Sequence, residues 1–302
     1  MPERQQRLSG ALMVVVAAIA FSGKAVIIKL AYRHGVDAVT LLALRMLFAA
    51  PLFAMLAWWA MRDSTLQALS GHDLRGVLVL GLIGYYLASY FDFLGLQYIT
   101  AALERLILFI HPTFVLLFSA LLYSRRITSG DVVAVLLSYL GIGLVFGHDV
   151  MTQPGNVALG SFWVLMSALF YSGYLVGSGR MVGRVGSLRF ASYAGLISCV
   201  AVIVHYLVVA PDAALIIRQP APVYWLALLM AVVSTVLPIV LTSEGIRRIG
   251  ASHASIMGSV GPIATIFLGF AFLGEPITAI QLAGCGLVLA GVLSISIKGR
   301  PG

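Results

Sequence analysis

Charge is what this chain has least of. Asp, Glu, Lys and Arg make up 10% of 302 residues, against 61% hydrophobic residues and a mean hydropathy of +1.02. A soluble domain typically carries about 25% charged residues, so these are too few to solvate a globular surface, and a membrane-embedded chain follows. Cysteine is almost missing: Cys199 and Cys285 both fall inside apolar runs, as small core residues do. The net charge of +8 comes without any basic run longer than two residues, which argues against nucleic acid as a partner. A Walker A loop is missing too. Gly23-Lys24 is followed by Ala25 and lacks the upstream glycine, so neither bound ATP nor an ATP-binding subunit is implied. The six histidines (His34, His72, His111, His148, His205, His253) scatter over depths and loops. That leaves no metal cluster, cofactor site or catalytic pair.

What is there is a series of apolar runs long enough to span a bilayer as helices, each needing about 20 residues. They are read at 10–32, 38–61, 76–97, 100–123, 130–147, 160–179, 190–209, 223–246, 251–273 and 279–297. The first resembles a signal peptide up to the small-residue triplet Ala18-Ile19-Ala20, but its apolar stretch continues to Ala31, so it is kept as a span. Basic residues outside the spans gather at the N-terminus, after spans 2, 4, 6 and 8, and at the C-terminus. The other loops hold only Arg33 and Arg218. This asymmetry places both termini in the cytoplasm of a bacterial-type inner membrane.

The chain repeats itself at an offset of 150 residues. Ser22-Gly23 matches Ser172-Gly173, and Leu87, Gly95, Ile99 and Ala101 match Leu237, Gly245, Ile249 and Ala251. Pro112 matches Pro262, Ile127-Thr128 matches Ile277-Thr278, and Gly141 matches Gly291. The fold class expected is therefore an all-α membrane protein whose ten transmembrane helices form two five-helix repeats, 1–150 and 151–302. Five is odd, so the second repeat is inverted in the membrane, the arrangement of alternating-access transporters. Arg125-Arg126 stands where the second half has Glu275-Pro276, a charge reversal that opposite sidedness explains.

The stretch Gly274-Glu275-Pro276-Ile277-Thr278, with Gln281, Gly284, Gly291 and upstream Pro262, resembles the end of an EamA repeat of the drug/metabolite transporter superfamily. The resemblance covers two halves, about 10–147 and 160–297. Two features depart from it: Arg125 replaces an acidic residue often found there, and Phe21-Ser22-Gly23 stands where a Trp-Gly pair is common. The resemblance implies an exporter of amino acids, aromatic ones included, or of other metabolites and cationic drugs.

Ionisable residues inside spans are candidates for function by default. Lys24 is the deepest; it either meets a substrate carboxylate or is sealed by carbonyls or a carboxylate of another helix. Lys29 is expected to snorkel from a helix end. Arg45, Asp92, Glu104 and Arg105 suit an ion-paired outer gate, or interfacial pairs that hold helices together. No acidic residue falls near the middle of a span, which argues against a buried carboxylate relay; His111 leaves proton coupling open. Tyr86, Tyr90, Tyr171 and Tyr174 at mid-depth suit either an aromatic or amphipathic solute or core packing, and Tyr86, Tyr90 and Tyr174 are expected to face one central cavity. Pro112 and Pro262 free the carbonyls of Leu108 and Gly258, to bind a solute amine or to kink the chain for rocking. A solute exporter is the reading these features favour; a membrane-embedded enzyme and a channel are the rivals.

Overall fold

In the computed structural model, residues 3–62, 69–123, 127–153, 155–249 and 251–298 are described. Arg125, Arg126 and Arg300, on which sidedness and the family resemblance partly draw, lie outside them. The apolar runs form ten helices, with no strand among the described residues. In the first half these are α1 (Glu3–Tyr32), α2 (Ala38–Ala60), α3 (Gly71–Gly95), α4 (Ala101–Leu108 and His111–Tyr123) and α5 (Ser129–Thr152). In the second they are α6 (Val157–Val185), α7 (Ser187–Val209), α8 (Ala221–Ile249), α9 (Ala251–Gly258 and Gly261–Leu268, then a π turn Gly269–Leu273) and α10 (Ala279–Lys298). Nine are long and apolar enough to cross a membrane, and Ala279–Leu293 is a shorter apolar tenth.

Several helices outrun the apolar stretches that announce them, because polar caps start them earlier. Ser70 and Asp73 form a reciprocal capping box, so α3 begins at Gly71 rather than near 76. The repeated Ile-Thr pair has the same cause. Thr128 boxes with Asp131 to open α5, and Thr278 exchanges hydrogen bonds with Gln281 to open α10. At the other end, α6 runs on from 179 to Val185 and stops at Gly186, whose φ of 85° suits glycine.

Two kinds of irregularity repeat along with the helices. A π turn interrupts α3 at Leu82–Leu87 and α8 at Val232–Val236. Both α4 and α9 break immediately before their proline, at Phe109-Ile110 and Ser259-Val260, where the ring can neither donate a hydrogen bond nor clear the preceding turn. The packing is paired as well: α1 lies on α8 as α6 lies on α3, α1 on α9 as α6 on α4, and α2 on α8 as α7 on α3. α2 meets α7, and α5 meets α10, across the pseudo-two-fold axis. Ten transmembrane helices thus form two inverted five-helix repeats.

Glycine permits the closest crossings. A Cβ on Gly160 would fall 2.9 Å from the Gly95 carbonyl oxygen, and one on the symmetry mate of that pair, at Gly245, would fall 3.1 Å from Gly10 oxygen. Where α5 crosses α10, a Cβ on Gly141 would sit 2.5 Å from Gly284 oxygen, and one on Gly291 2.5 Å from Ala134 oxygen. Backbones this near are the membrane solution to association, since lipid tails offer helices no hydrophobic drive.

Candidate solute and ion site

Lys24 of α1 reaches carboxylates on α3 and α4. Its ammonium is 2.5 Å from Asp92 Oδ2 and 3.5 Å from Glu104 Oε1. Asp92 and Glu104 are 1% and 0% exposed. The sequence places both near helix ends and so far from any buried relay, and the structure corrects this. Position along a helix fixes distance from its end; burial is set by what packs there. The start of α4 is covered by α1, α5, α6 and α9. Arg105, next on α4, is buried against the rings of Phe21 and Phe109, 5.1 and 5.4 Å from their centroids. Phe21 is shared, since Lys24 sits 5.2 Å from the same ring. Arg45 donates through Nε to Thr235 at 3.0 Å and lies over Phe93.

This centre is not saturated. Asp92 Oδ1, both oxygens of Glu104, Arg105 Nε and Arg45 Nη1 are buried without a hydrogen-bond partner. Such atoms cost free energy in a low-dielectric interior unless something else completes them.

The tyrosines divide into two groups instead of sharing one cavity. Tyr174 stands edge-on to Tyr85 at 5.3 Å, stacks on Tyr171 at 5.8 Å, and leans on Phe190 of α7. His111 meets the edge of Tyr171 at 5.7 Å. Tyr86 and Tyr90 turn to His205, 5.7 and 4.7 Å away, within a separate apolar cluster. The split follows from the helix: neighbouring residues such as Tyr85 and Tyr86 do not share a face. Sequence reasoning counts Tyr85 among the three clustered tyrosines of α3 without choosing it for the site, and misses His205, which carries no signal. Two apolar hollows, of 190 Å³ between α9 and α10 and of 510 Å³ beside His34 and Trp225, adjoin neither tyrosine group.

At the proline breaks the Leu108 carbonyl is already taken, by His111 Nδ1 at 2.9 Å, so it is not free for a solute amine. The repeated Ser-Gly pairs have a job here. Ser22 donates to the Gly261 carbonyl at 2.9 Å, and its mate Ser172 donates to the His111 carbonyl at 3.1 Å. Each serine ties the first helix of one repeat to the broken helix of the other.

A polar latch closes the end of the molecule where α1, α3 and α9 finish. Lys29 does not snorkel: its ammonium donates to the Ile99 carbonyl at 2.7 Å and faces Glu275 at 3.8 Å. Glu275 accepts from the Ala101 N–H at the start of α4, 3.1 and 3.2 Å from its two oxygens, which suits an anion at a helix N-terminus. Burial lifts the Glu275 carboxyl above the usual carboxylate range, against the opposing pull of Lys29 and the backbone N–H groups. Arg33 donates to the Leu273 carbonyl at 2.5 Å, and Thr100 to Asp149 at 2.9 Å.

The model of the EamA-like transporter family matches this chain twice, over residues 8–147 and 158–297. The chain belongs to that family. Among EamA-like relatives, an "Uncharacterized transporter YcbK" of Bacillus subtilis is 33% identical over 93% of this chain and 91% of its own length. An "Uncharacterized inner membrane transporter YicL" of Salmonella typhimurium is 25% identical over 76% of this chain and 75% of its own length. A solved crystal structure shares the fold at a TM-score of 0.67 and 19% identity, covering 96% of both chains. The chain is thus a multi-pass membrane transporter of bacterial type. The EamA-type Gly-Glu-Pro stretch now has a physical reading: Gly274, with φ of 71°, ends α9 and sets Glu275 against the start of α4.

Proposed function

We propose that this transporter exports small metabolites, amino acids with aromatic members among them, by alternating access between the halves 1–150 and 151–302. The observation that carries the reading is the unsaturated charged centre at the meeting of the halves. The Glu104 oxygens, Arg105 Nε and Arg45 Nη1 lie buried without a hydrogen-bond partner, so acceptors and donors await one ligand. A zwitterion supplies both: its ammonium to Glu104, its carboxylate to Arg105. Tyr171 and Tyr174, with His111, offer aromatic surface for a side chain beyond. Within this centre, three buried cations (Lys24, Arg45, Arg105) against the carboxylates of Asp92 and Glu104 disfavour a cationic drug.

The basic loops support a reading with both termini in the cytoplasm of an inner membrane. With that sidedness the latched end faces outward, and Pro112 and Pro262 are the hinges about which the halves rock. Counterflow of labelled amino acids into reconstituted vesicles, with a permanent cation run alongside, tests the proposal. Saturable counterflow of neutral and aromatic amino acids is the expected result. Counterflow of the cation alone, or of neither, would overturn it.

A further inference from the structure

The charged centre poses a problem that no neighbouring residue solves. Lys24 bonds one oxygen of Asp92, and the other, Oδ1, has no partner. Both Glu104 oxygens are also without a hydrogen-bond partner, although Asp92 and Glu104 approach the same Lys24 ammonium, at 2.5 and 3.5 Å. Ionised carboxylates only accept hydrogen bonds, so two of them facing each other inside a protein leave acceptors opposed and like charges close. Lys24 bonds one carboxylate; Arg105 lies over the rings of Phe21 and Phe109 and Arg45 donates to Thr235, so neither guanidinium hydrogen-bonds the other carboxylate. A second buried carboxylate needs a partner of its own or a proton. A single proton resolves the opposed carboxyl groups, because a protonated Glu104 can donate to Asp92 Oδ1 while Lys24 holds Oδ2.

We propose that Asp92 and Glu104 are the proton-binding site of this transporter, holding one exchangeable proton between their carboxyl groups that the ammonium of the solute displaces. The second half of that statement rests on the zwitterion reading above; the first does not. The groups facing the pair favour a site that changes state. α1 brings Lys24 and, on the Asp92 side, Tyr32. α2 brings Arg45 and α4 itself Arg105, which in turn faces His111 and, on α6, Tyr171. At the start of α4 lie Asp149 of α5 and Glu275 from the end of α9. When the proton leaves, Glu104 becomes a carboxylate beside Lys24 and Arg105 and open to an incoming ammonium. When the proton returns, the ammonium loses its counter-ion and the solute is released. Proton and solute therefore occupy the site in turn, so proton entry drives solute exit. The proton moves between the Glu104 carboxyl and water, and no bond other than O–H forms or breaks.

Infrared difference spectroscopy of the whole purified protein, taken between acidic and alkaline buffer, reads the site without any solute. The expected result is a carboxylic-acid C=O band that vanishes on alkalinisation, is absent in Glu104→Gln, and shifts in Asp92→Asn because its hydrogen-bond acceptor changes. Glu104→Asp retains a band and serves if the glutamine variant fails to fold. A titrating band of undiminished size in Glu104→Gln, or no such band in the wild type, would overturn the proton site. Coupling is read next, with whichever amino acid scores in counterflow. An imposed inside-acid gradient should accelerate its uptake several-fold in wild type, whereas Glu104→Gln, whose counterflow is itself weakened by loss of the ammonium's partner, should show no acceleration of the transport that remains. Equal acceleration in both would overturn the exchange. A failed counterflow screen would strike the solute reading and leave the infrared result standing for the proton site.

Discussion

The first segments of α4 and α9 are the same piece of the repeat, placed in opposite directions, and they meet opposite fates. Leu103, Leu106 and Ile107 are 0%, 1% and 3% exposed. Their mates His253, Ile256 and Met257 are exposed, the last two at 37% each. The α4 segment packs on α6 and α9 of the other half as well as on its own neighbours α1 and α5; the α9 segment packs on α8 and α10 of its own half and on α1. The halves are therefore closed upon each other at the end held by Glu275 and parted at the end near Ile256. A symmetric sequence has folded into an asymmetric shape, and the residues that break the symmetry show why. Lys24, Asp92, Glu104 and Glu275 sit at the closed end; at offset 150 their counterparts are Tyr174, Thr242, Ala254 and Arg125. Charge fastens one end, and aromatic packing lines the other.

The most damaging way to probe that contrast is to remove the cation at its centre. Lys24→Met leaves two buried carboxyl groups without their ammonium, and breaking a buried pair from one side costs about 3–5 kcal/mol. The mate, Tyr174→Phe, removes one hydroxyl whose contact with Tyr85 is 3.5 Å long, worth less than about 1 kcal/mol. Thermal unfolding in one detergent should show the large loss only in Lys24→Met, with stability partly regained on adding Asp92→Asn. Equal losses at the two positions would mean that the charged centre does not hold the closed end.

Much of this architecture is legible in the sequence, and the limits have physical causes. The ten spans and the inverted repeat follow from hydropathy and from matched Pro, Gly and Ile-Thr positions, each now tied to a break, a crossing or a cap. Helix ends are blurred because caps such as Ser70–Asp73 are polar, and hydropathy discards polar residues. The partner of Lys24 stays open, since depth along α1 says nothing of which helix crosses there. Asp92 and Glu104 look peripheral in the sequence for the same reason. The two tyrosine groups cannot be separated, because the i, i+4 rule joins Tyr86 to Tyr90 but does not say that α7 meets them with His205.

Two smaller effects sharpen the comparison. Gly141→Val at the α5–α10 crossing should cost about 1–3 kcal/mol by overpacking, while Gly143→Ala, with nothing within 4 Å of an added Cβ, should stay within about 1 kcal/mol of wild type. Matching melts for the two would show that α5 and α10 are not in close contact. At the latch, Glu275→Gln keeps an oxygen for the Ala101 N–H and exchanges a carboxyl for an amide, so its cost should stay within about 1 kcal/mol. Its pH signature is more telling. The fold binds the Glu275 proton more tightly than the unfolded chain does, so this group's contribution to stability falls as pH rises from the ordinary carboxylate range to its lifted folded value. The wild-type melting temperature should decline over that interval more steeply than that of Glu275→Gln; parallel profiles would remove Glu275 as the cause.

The gentlest perturbation addresses the asymmetry itself. Ile256→Cys and Met257→Cys lie at exposed positions and should leave stability within about 0.5 kcal/mol. The native cysteines Cys199 and Cys285 are both buried, so background reaction with a water-soluble thiol reagent is low. Ile256→Cys should react readily, whereas its mate Leu106→Cys, sealed between the halves, should react at least about tenfold more slowly, a population bias of about 1.4 kcal/mol toward the shape described here. Opening the latch with Glu275→Gln should narrow that ratio by quickening Leu106→Cys, because a closed end held by fewer contacts parts more often. If Leu106→Cys reacts as fast as Ile256→Cys before the latch is touched, the two ends are equally open and the comparison fails. If the ratio is large and Glu275→Gln leaves it unchanged, closure belongs to the Lys24 centre alone.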